Sequence, residues 1–587
     1  MRTLVVTLSV CCFYIIFHSC TPPKVQADLI VKNGTVYTVD SSFGICQAFA
    51  IKNGKILETG TIEDILKIYE ARQVIDAGGK FIYPGLIDAH CHFYNYGLAL
   101  QEVNLTGTVS FEDVLHRLVE FSKKHPKKSD GSRSDWIIGR GWDQNDWSEK
   151  QFPDRKKLDE IFPDRPVILK RIDGHAALAN SVALKLAGIN SSIQMQGGSI
   201  ENKTDYVDTV DWNKGLLSNE ISKMKKPGWS PTGILIDNAV DLVERVIPQY
   251  SKTEKVLALI KAQKDCCKYG LTTVADAGLM RETIDLIDSL HKSAALKMRI
   301  YAMISANEMN FNYYLKAGKF KTERLNACSF KFYADGALGS RGACLKNDYA
   351  DKPQWKGFLL QQEEYFRKYA RLLFVAGFQM NTHCIGDSSD KLIASIYKEV
   401  LFSRGEKTDV LKKYRWRIEH AQVVSKDDLE YFKYIIPSVQ PTHATSDMYW
   451  AEERLGKNRV NEAYAYYSLL KNAGLLALGT DFPVEEISTF KTFFAAVFRK
   501  DEKGFPQNGF QMQDALKREM TLRGMTIWAA YANFEEKEKG SIERGKFADF
   551  IILDTDLMKC NEKEVLHTKV LATYINGEKV YSSSEGK

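Results

Sequence analysis

Residues 81–93 read FIYPGLIDAHCHF, an apolar run that closes with His90, Cys91 and His92. In an extended chain successive side chains alternate between faces, so residues i and i+2 project from the same side. His90 and His92 therefore converge while Cys91 points away. Two neutral imidazoles aimed at one point form half of a divalent-metal site and require further ligands from elsewhere in the chain. Alone, a His-x-His pair is equally well read as two packing or surface histidines.

Seven more apolar runs also end in polar residues. They are GLTTVADAG (270–278), LKMRIYAMIS (296–305), CSFKFYADG (328–336), FQMNTHCIGD (378–387), RWRIEHAQ (415–422), YIIPSVQPTH (434–443) and GLLALGTDFP (474–483). Most are separated by helix-length stretches such as YFRKYARLLFVAG and SKDDLEYFKYI, the alternation of an α/β chain forming a (β/α)8 TIM barrel. About 165 residues separate the first run from the second, so roughly 100–265 form a large insertion after barrel strand 1, with a strand of its own in RPVILKRIDGH.

The two chain ends share a character that the middle lacks. DLIVKNGTVYTVD and AFAIKNGKILETG place Asn33-Gly34 and Asn53-Gly54 between β-rich flanks, and ATYINGEKVY repeats the pattern at Asn576-Gly577. Asn-Gly between such flanks is the strongest short hairpin signal. Residues 28–83 and 541–582 are therefore expected to fold together as a small β-sandwich domain, with 84–540 as the inserted barrel.

Active sites of such barrels lie where the strands finish. Strand 1 ends in His90 and His92, strand 4 carries Lys331, strand 5 His383, strand 6 His420 and strand 8 Asp481. Singly, each has an ordinary explanation: a core histidine with its hydrogen bonds made, or an Asp capping a helix. Their joint occurrence at the same end of successive strands favours a metal centre.

At 587 residues the chain exceeds one ordinary core. Its 44% hydrophobic and 26% charged residues are those of a globular protein. A net charge of +6, with both signs interspersed, gives no sign of nucleic-acid binding. The N-terminus MRTLVVTLSVCCFYIIFHSC has one early Arg2 and an apolar run from Leu4 to Phe17, which suits a signal-peptide core rather than a membrane span. Ser19 before Cys20, with TPPKVQ following, resembles a bacterial lipoprotein signal spanning 1–20 and a tether at 21–27. Export to the cell envelope with a lipid anchor on Cys20 is the expectation, the alternative being an ordinary cleaved signal. The eleven cysteines have no framework spacing, and most read as small buried hydrophobes.

Taken in order, PGLIDAHCH, GWDQNDW, PDRPVILKRIDGHAALANS, LTTVADAG, KFYADGALGSR, THCIGD, RIEHAQ, SVQPTHATSDMYWAEERLG, GTDFPVE and GSIERGKFADFIILD resemble the metal-dependent amidohydrolase superfamily. The resemblance is specifically to amidohydrolase family 3, the group of YtcJ-like enzymes and N-substituted formamide deformylases. It implies that His90, His92, His383 and His420 are metal ligands, with Lys331 a bridging ligand, carboxylated when two ions are held. It also implies that Asp481 is the catalytic carboxylate. The cofactor is then one or two divalent ions, zinc first, and the substrate a small amide-type molecule. Hydrolysis of a ring C–N bond, or a metal- or solute-binding lipoprotein without turnover, are the alternatives. Asp481 favours an enzyme, because binding alone gives less reason to keep a carboxylate where a proton must move.

In the insertion, Trp142 and His175 are candidates to line the substrate pocket, the alternative being packing of the inserted domain. Arg341, just beyond strand 4, would meet an anionic group or anchor its own loop. His443, at the end of strand 7, would donate a hydrogen bond to a substrate oxygen, although a structural role is nearly as consistent. The oligomeric state is open, a homodimer being one option.

Overall fold

The computed structural model describes residues 23–583 except 191, 192, 194, 203–229, 404 and 406–412. Cys20 and the signal-like segment lie outside the described residues.

Eight parallel strands form a nearly closed barrel: Leu86–Cys91, Leu271–Leu279, Arg299–Ser305, Leu325–Tyr333, Gln379–Cys384, Arg417–His420, Ile436–Val439 and Ala477–Leu478, here barrel strands 1 to 8. Each pairs in parallel with the next in chain order. All eight apolar runs become strands because both faces are covered. Strands 1, 5, 6 and 7 contain buried residues only, the pattern of a parallel sheet wrapped by helices. The helix Glu363–Ala376 illustrates the wrapping. It buries Phe366, Tyr369, Ala370, Leu373 and Phe374 at helical spacing and stops at Gly377 in the left-handed conformation, φ 75°.

Strands 8 and 1 meet at a seam held by Asp88. Its buried carboxylate accepts hydrogen bonds from Thr480 N (3.1 Å), Thr480 Oγ1 (2.7 Å) and His90 N (3.1 Å). Asp481 N donates to His90 O at 2.8 Å, and His92 N to Phe482 O at 2.8 Å. Gly479 makes this approach possible: a Cβ there would stand 2.5 Å from His90 N and 2.8 Å from Asp88 Oδ1.

The opening stretch belongs to two sheets. Phe81–Pro84 lies in a six-stranded sheet, between Phe550–Leu553 and Thr35–Tyr37, and the chain enters the barrel only at Leu86. A second sheet of four strands, Lys55–Gly60, Ala48–Lys52, Val25–Lys32 and Tyr69–Asp76, packs on the first through Leu29, Val31, Phe49, Ile51, Ile82, Phe550, Ile552 and Tyr574. Asn53-Gly54 and Asn576-Gly577 turn hairpins, with both residues of each pair at positive φ as a type I′ turn requires. Asn33-Gly34 does not. The strands flanking it enter different sheets, and Gly34 is glycine for packing, since a Cβ would meet Ile82 Cδ1 at 2.7 Å.

The segment after strand 1 holds more than one strand. Val103–Asn104, Ile137–Trp142, Val167–Arg171, Ala176–Ala179, Pro231–Asp237 and Gly198–Asn202 form a mixed six-stranded sheet. Its cores are its own: Leu105, Ile137, Trp142, Val167 and Leu178 on one side, Ile138, Ile168, Ala177 and Leu235 on the other.

Gly85 is the hinge between sandwich and barrel. A Cβ there would lie 2.3 Å from Thr272 Oγ1 and 2.8 Å from Thr272 Cβ, so no terminal rotation relieves the clash. Gly85→Ala is expected to lose about 1–3 kcal/mol, read as a lower denaturant midpoint in equilibrium unfolding followed by tryptophan fluorescence.

Candidate metal centre and active-site cavity

The strand ends open into a cavity of about 660 Å³ lined by His92, Lys331, His383, His420, His443 and Asp481 from the barrel, and by Arg140, Arg171 and His175 from the insertion. His90 is fully buried beneath it. One ligand atom each from His90, His420 and Asp481 lies within 4.8 Å of the other two. His90 Nε2 stands 3.6 Å from Asp481 Oδ1 and 3.3 Å from Lys331 Nζ, and His92 Nε2 stands 3.2 Å from Asp481 Oδ1. The His420 ring lies 4.8 Å from that of His90 and 4.5 Å from that of His383.

His420 and Asp481 both occupy the left-handed region, at φ 73° and 62°. For residues other than glycine this costs free energy and persists only where the surroundings impose it. In strand 6 strict alternation sends Glu419 and His420 to opposite faces, and the unusual φ lets both serve the same centre.

The partners behind the ligands set their protonation. His90 Nδ1 hydrogen-bonds Glu419 Oε2, and His420 Nδ1 donates to Gln440 Oε1 at 2.8 Å, so Nε2 of each ring is left for the cavity. Burial lowers His90 to about 4 and holds His383 and His420 well below the usual imidazole range, which keeps all three neutral. Burial pushes Glu419 up, but Arg417 and His90 outweigh it and hold the carboxylate far below its ordinary value. Arg417 Nη2 lies 2.9 Å from Glu419 Oε2, 2.6 Å from Ala89 O and 2.8 Å from Ser438 Oγ. Lys331 is buried, which lowers its ammonium to about 8.

Asp481 Oδ2 accepts from His443 Nε2 at 3.3 Å, and His443 Nδ1 lies 3.0 Å from Glu485 Oε1. Burial opposes a charged imidazole at 443, but the two carboxylates win and keep it protonated. Burial likewise opposes an ionised Asp481, and His443 with His92 and His90 overrides it. His383 Nε2 and Asp481 Oδ1 remain buried without a hydrogen bond. An imidazole nitrogen and a carboxylate oxygen left without partners, beside the close grouping of His90, His420 and Asp481, fit a divalent cation.

His175 lines the cavity with its ring 5.2 Å from that of His383, its Nδ1 bonded to Asp237 Oδ1 at 2.6 Å. Two pocket candidates are corrected. Trp142 is 1% exposed, donates its indole N–H to Leu169 O at 2.8 Å and packs on Trp147 and Phe152, because the insertion has a core of its own to fill. Arg341 pairs with Asp351 at 2.8 Å and so anchors its loop rather than facing the cavity. Sequence reading missed Arg417, Glu419 and Gln440. The signal was present, since Arg417 and Glu419 share the i, i+2 relation of His90 and His92 in a strand whose inner face is closed to water.

Glu419→Gln leaves Arg417 buried beside a neutral amide and weakens the hold on His90. It is expected to cost about 3–5 kcal/mol of stability and to lower metal affinity about 10- to 100-fold, measured by unfolding and by competition with a chelator of known affinity. Because the folded Glu419 titrates below its unfolded value of about 4.3, its contribution is present at neutral pH and is lost as pH falls below that value. Acid unfolding of the variant should therefore show a shallower loss of stability below pH of about 4.

A model of the amidohydrolase family matches residues 73–206 and 213–581. The chain is 34% identical to Protein LONG AFTER FAR-RED 3 of Arabidopsis thaliana over 96% of its length and 93% of that protein's. It is 28% identical to the putative amidohydrolase YtcJ of Bacillus subtilis strain 168 (94% and 99% covered) and 24% identical to the N-substituted formamide deformylase of Arthrobacter pascens (94% and 97%). Among solved structures, an uncharacterised metal-dependent hydrolase from Pyrococcus horikoshii OT3 superposes with a TM-score of 0.69 at 26% identity, covering 91% of this chain and 99% of that one. On this evidence, with the barrel and its histidine–carboxylate centre in place, the chain belongs to the amidohydrolase family.

Proposed function

We propose that the protein hydrolyses an amide-type C–N bond of a small molecule in a metal-dependent reaction, with Asp481 as general base and then general acid. The observation that carries this reading is Asp481 itself, ionised though buried, with one oxygen beside His90 and His92 and the other hydrogen-bonded to His443. The name of the Arthrobacter pascens relative, a deformylase of N-substituted formamides, supports a C–N substrate. Zinc fits the neutral imidazoles best.

A divalent ion held by these side chains supplies Lewis acidity, which polarises a carbonyl and makes water acidic near neutral pH. Asp481 takes the proton from the attacking water and delivers it to the departing nitrogen, so the C–N bond breaks to an amine and a carboxylate. His443, protonated between Asp481 and Glu485, holds Asp481 ionised, and once Asp481 has taken the water proton the Nε2–H of His443 is released toward the oxygen on which negative charge develops. Lys331, with its ammonium lowered to about 8, keeps a neutral fraction at pH 7 that is able to add carbon dioxide. The addition would release one proton to solvent and put a carbamate anion in place of a cation beside His90, a group able to hold two divalent ions.

Chelation should abolish turnover of N-acyl amines or formamides, and added zinc should restore it. Asp481→Asn should keep the histidine-held metal and lower kcat by about 10² to 10⁴; turnover equal to wild type would remove Asp481 from the mechanism. The carbamate predicts a carbonyl resonance after growth or incubation with ¹³C-bicarbonate, absent in Lys331→Ala. One ion per chain with no such resonance would refute the bridge.

A further inference from the structure

The insertion contributes to the cavity wall a guanidinium without a direct ion pair, although Glu102, Asp481, Asp173 and Glu244 attract it from further away. Arg140 lies in the strand Ile137–Trp142 and lines the same cavity as His92, Lys331 and Asp481. Its Nη2 donates to Ile172 O at 3.1 Å, its Nε is buried without a partner, and its Nη1 makes no hydrogen bond. Among the described residues no carboxylate oxygen lies within 4.0 Å of it. Beside Nη1 the chain passes as Gly174, where a Cβ would stand 3.5 Å away, so residue 174 itself puts no side chain there.

Most other charges of the cavity have partners, the exceptions among the described residues being Lys331, whose hydrogen bond goes to His90 at the metal centre, and Asp146. Asp143 and Asp173 flank Arg171, Glu102 pairs with Arg133, Glu485 and Asp481 share His443, and Glu486 meets Lys491. Asp447 accepts hydrogen bonds from Tyr464 and Gln422. Asp146 has no such partner, and burial pushes its carboxyl up to about 6. A cation withdrawn from water without a counter-ion is unfavourable, and a carboxylate brought in by a ligand relieves the cost. The planar guanidinium suits a carboxylate better than any other side chain does.

We propose that Arg140 is the specificity-determining residue of the cavity and binds a carboxylate on the substrate, so that the preferred substrates are amides bearing a carboxylate near the scissile bond, the class of N-acyl amino acids. The assignment of the bond that breaks rests on the hydrolase reading above; the anion contact does not. It also moves the anion-binding role from Arg341, which has its own carboxylate, to an arginine about 200 residues earlier in the chain.

The test compares zinc-loaded wild type, Arg140→Gln and Arg140→Lys on N-formyl- and N-acetylleucine and on the matching N-acyl isopentylamines, which lack only the carboxylate. Wild type should prefer the carboxylated member, and in Arg140→Gln the ratio of the two kcat/KM values should fall by about 10- to 100-fold, the range for a hydrogen bond to a charged group. Arg140→Lys should recover part of it. A wild-type preference for the neutral member, or a ratio unchanged in Arg140→Gln, overturns the proposal while leaving the hydrolase reading intact. Should none of the four compounds be cleaved, the hydrolase reading fails for this class. Calorimetric titration with N-acetylleucine then decides Arg140: binding weakened at least about tenfold in Arg140→Gln supports the contact, and equal binding by both proteins, or none by wild type, overturns it.

Discussion

Asp88 ties the last barrel strand to the first, and the position of the centre follows from that tie. Its three hydrogen bonds bring Thr480 against His90, and Asp481 N then reaches His90 O, so the carboxylate of Asp481 faces both histidines of strand 1. Burial pushes Asp88 up to about 7, a sign of how fully the seam excludes water. Gly479 is the steric condition for the same contact. Histidines on strands 5 and 6 complete a centre whose first half was set at the seam.

Around the centre, charge is arranged in shells. Neutral imidazoles face inward, the Glu419–Arg417 pair stands behind them, and His443 is held charged between two carboxylates. The barrel strand ends supply these groups, whereas Arg140, Arg171 and His175, which line the same cavity, come from the insertion. Two parts of the chain thus line one cavity, an arrangement that barrels of this kind permit because their loops vary independently of their strands.

The eight strands were legible because parallel strands buried on both faces read as apolar runs, and because each run ended in a polar residue at the same edge. Asn33-Gly34 was misread because turn chemistry specifies backbone angles, not which strand becomes the partner. The division was expected at 83/84 and the chain changes sheets at Gly85, where Pro84-Gly85 marks the bend inside one apolar run. Trp142 and Arg341 each carried two readings for a shared reason: a sequence shows that a side chain is aromatic or charged, not whether a core or a counter-ion is waiting for it. Glu419 was overlooked because alternation was applied to histidines and not to the carboxylate two residues beyond Arg417.

The sandwich has an unusual relation to time. Its strand Phe81–Pro84 runs straight into the strand that bears His90, yet one neighbour in its sheet, Phe550–Leu553, follows Pro84 by 466 residues. At ribosomal rates of about 5–20 residues per second, that neighbour arrives on the order of half a minute to a minute and a half later. Throughout that interval a strand edge made of Phe81, Ile82 and Tyr83 has no partner to cover it, and unpaired apolar edges invite association with other chains. One apolar edge of the protein is therefore closed only when the last forty residues of the chain arrive.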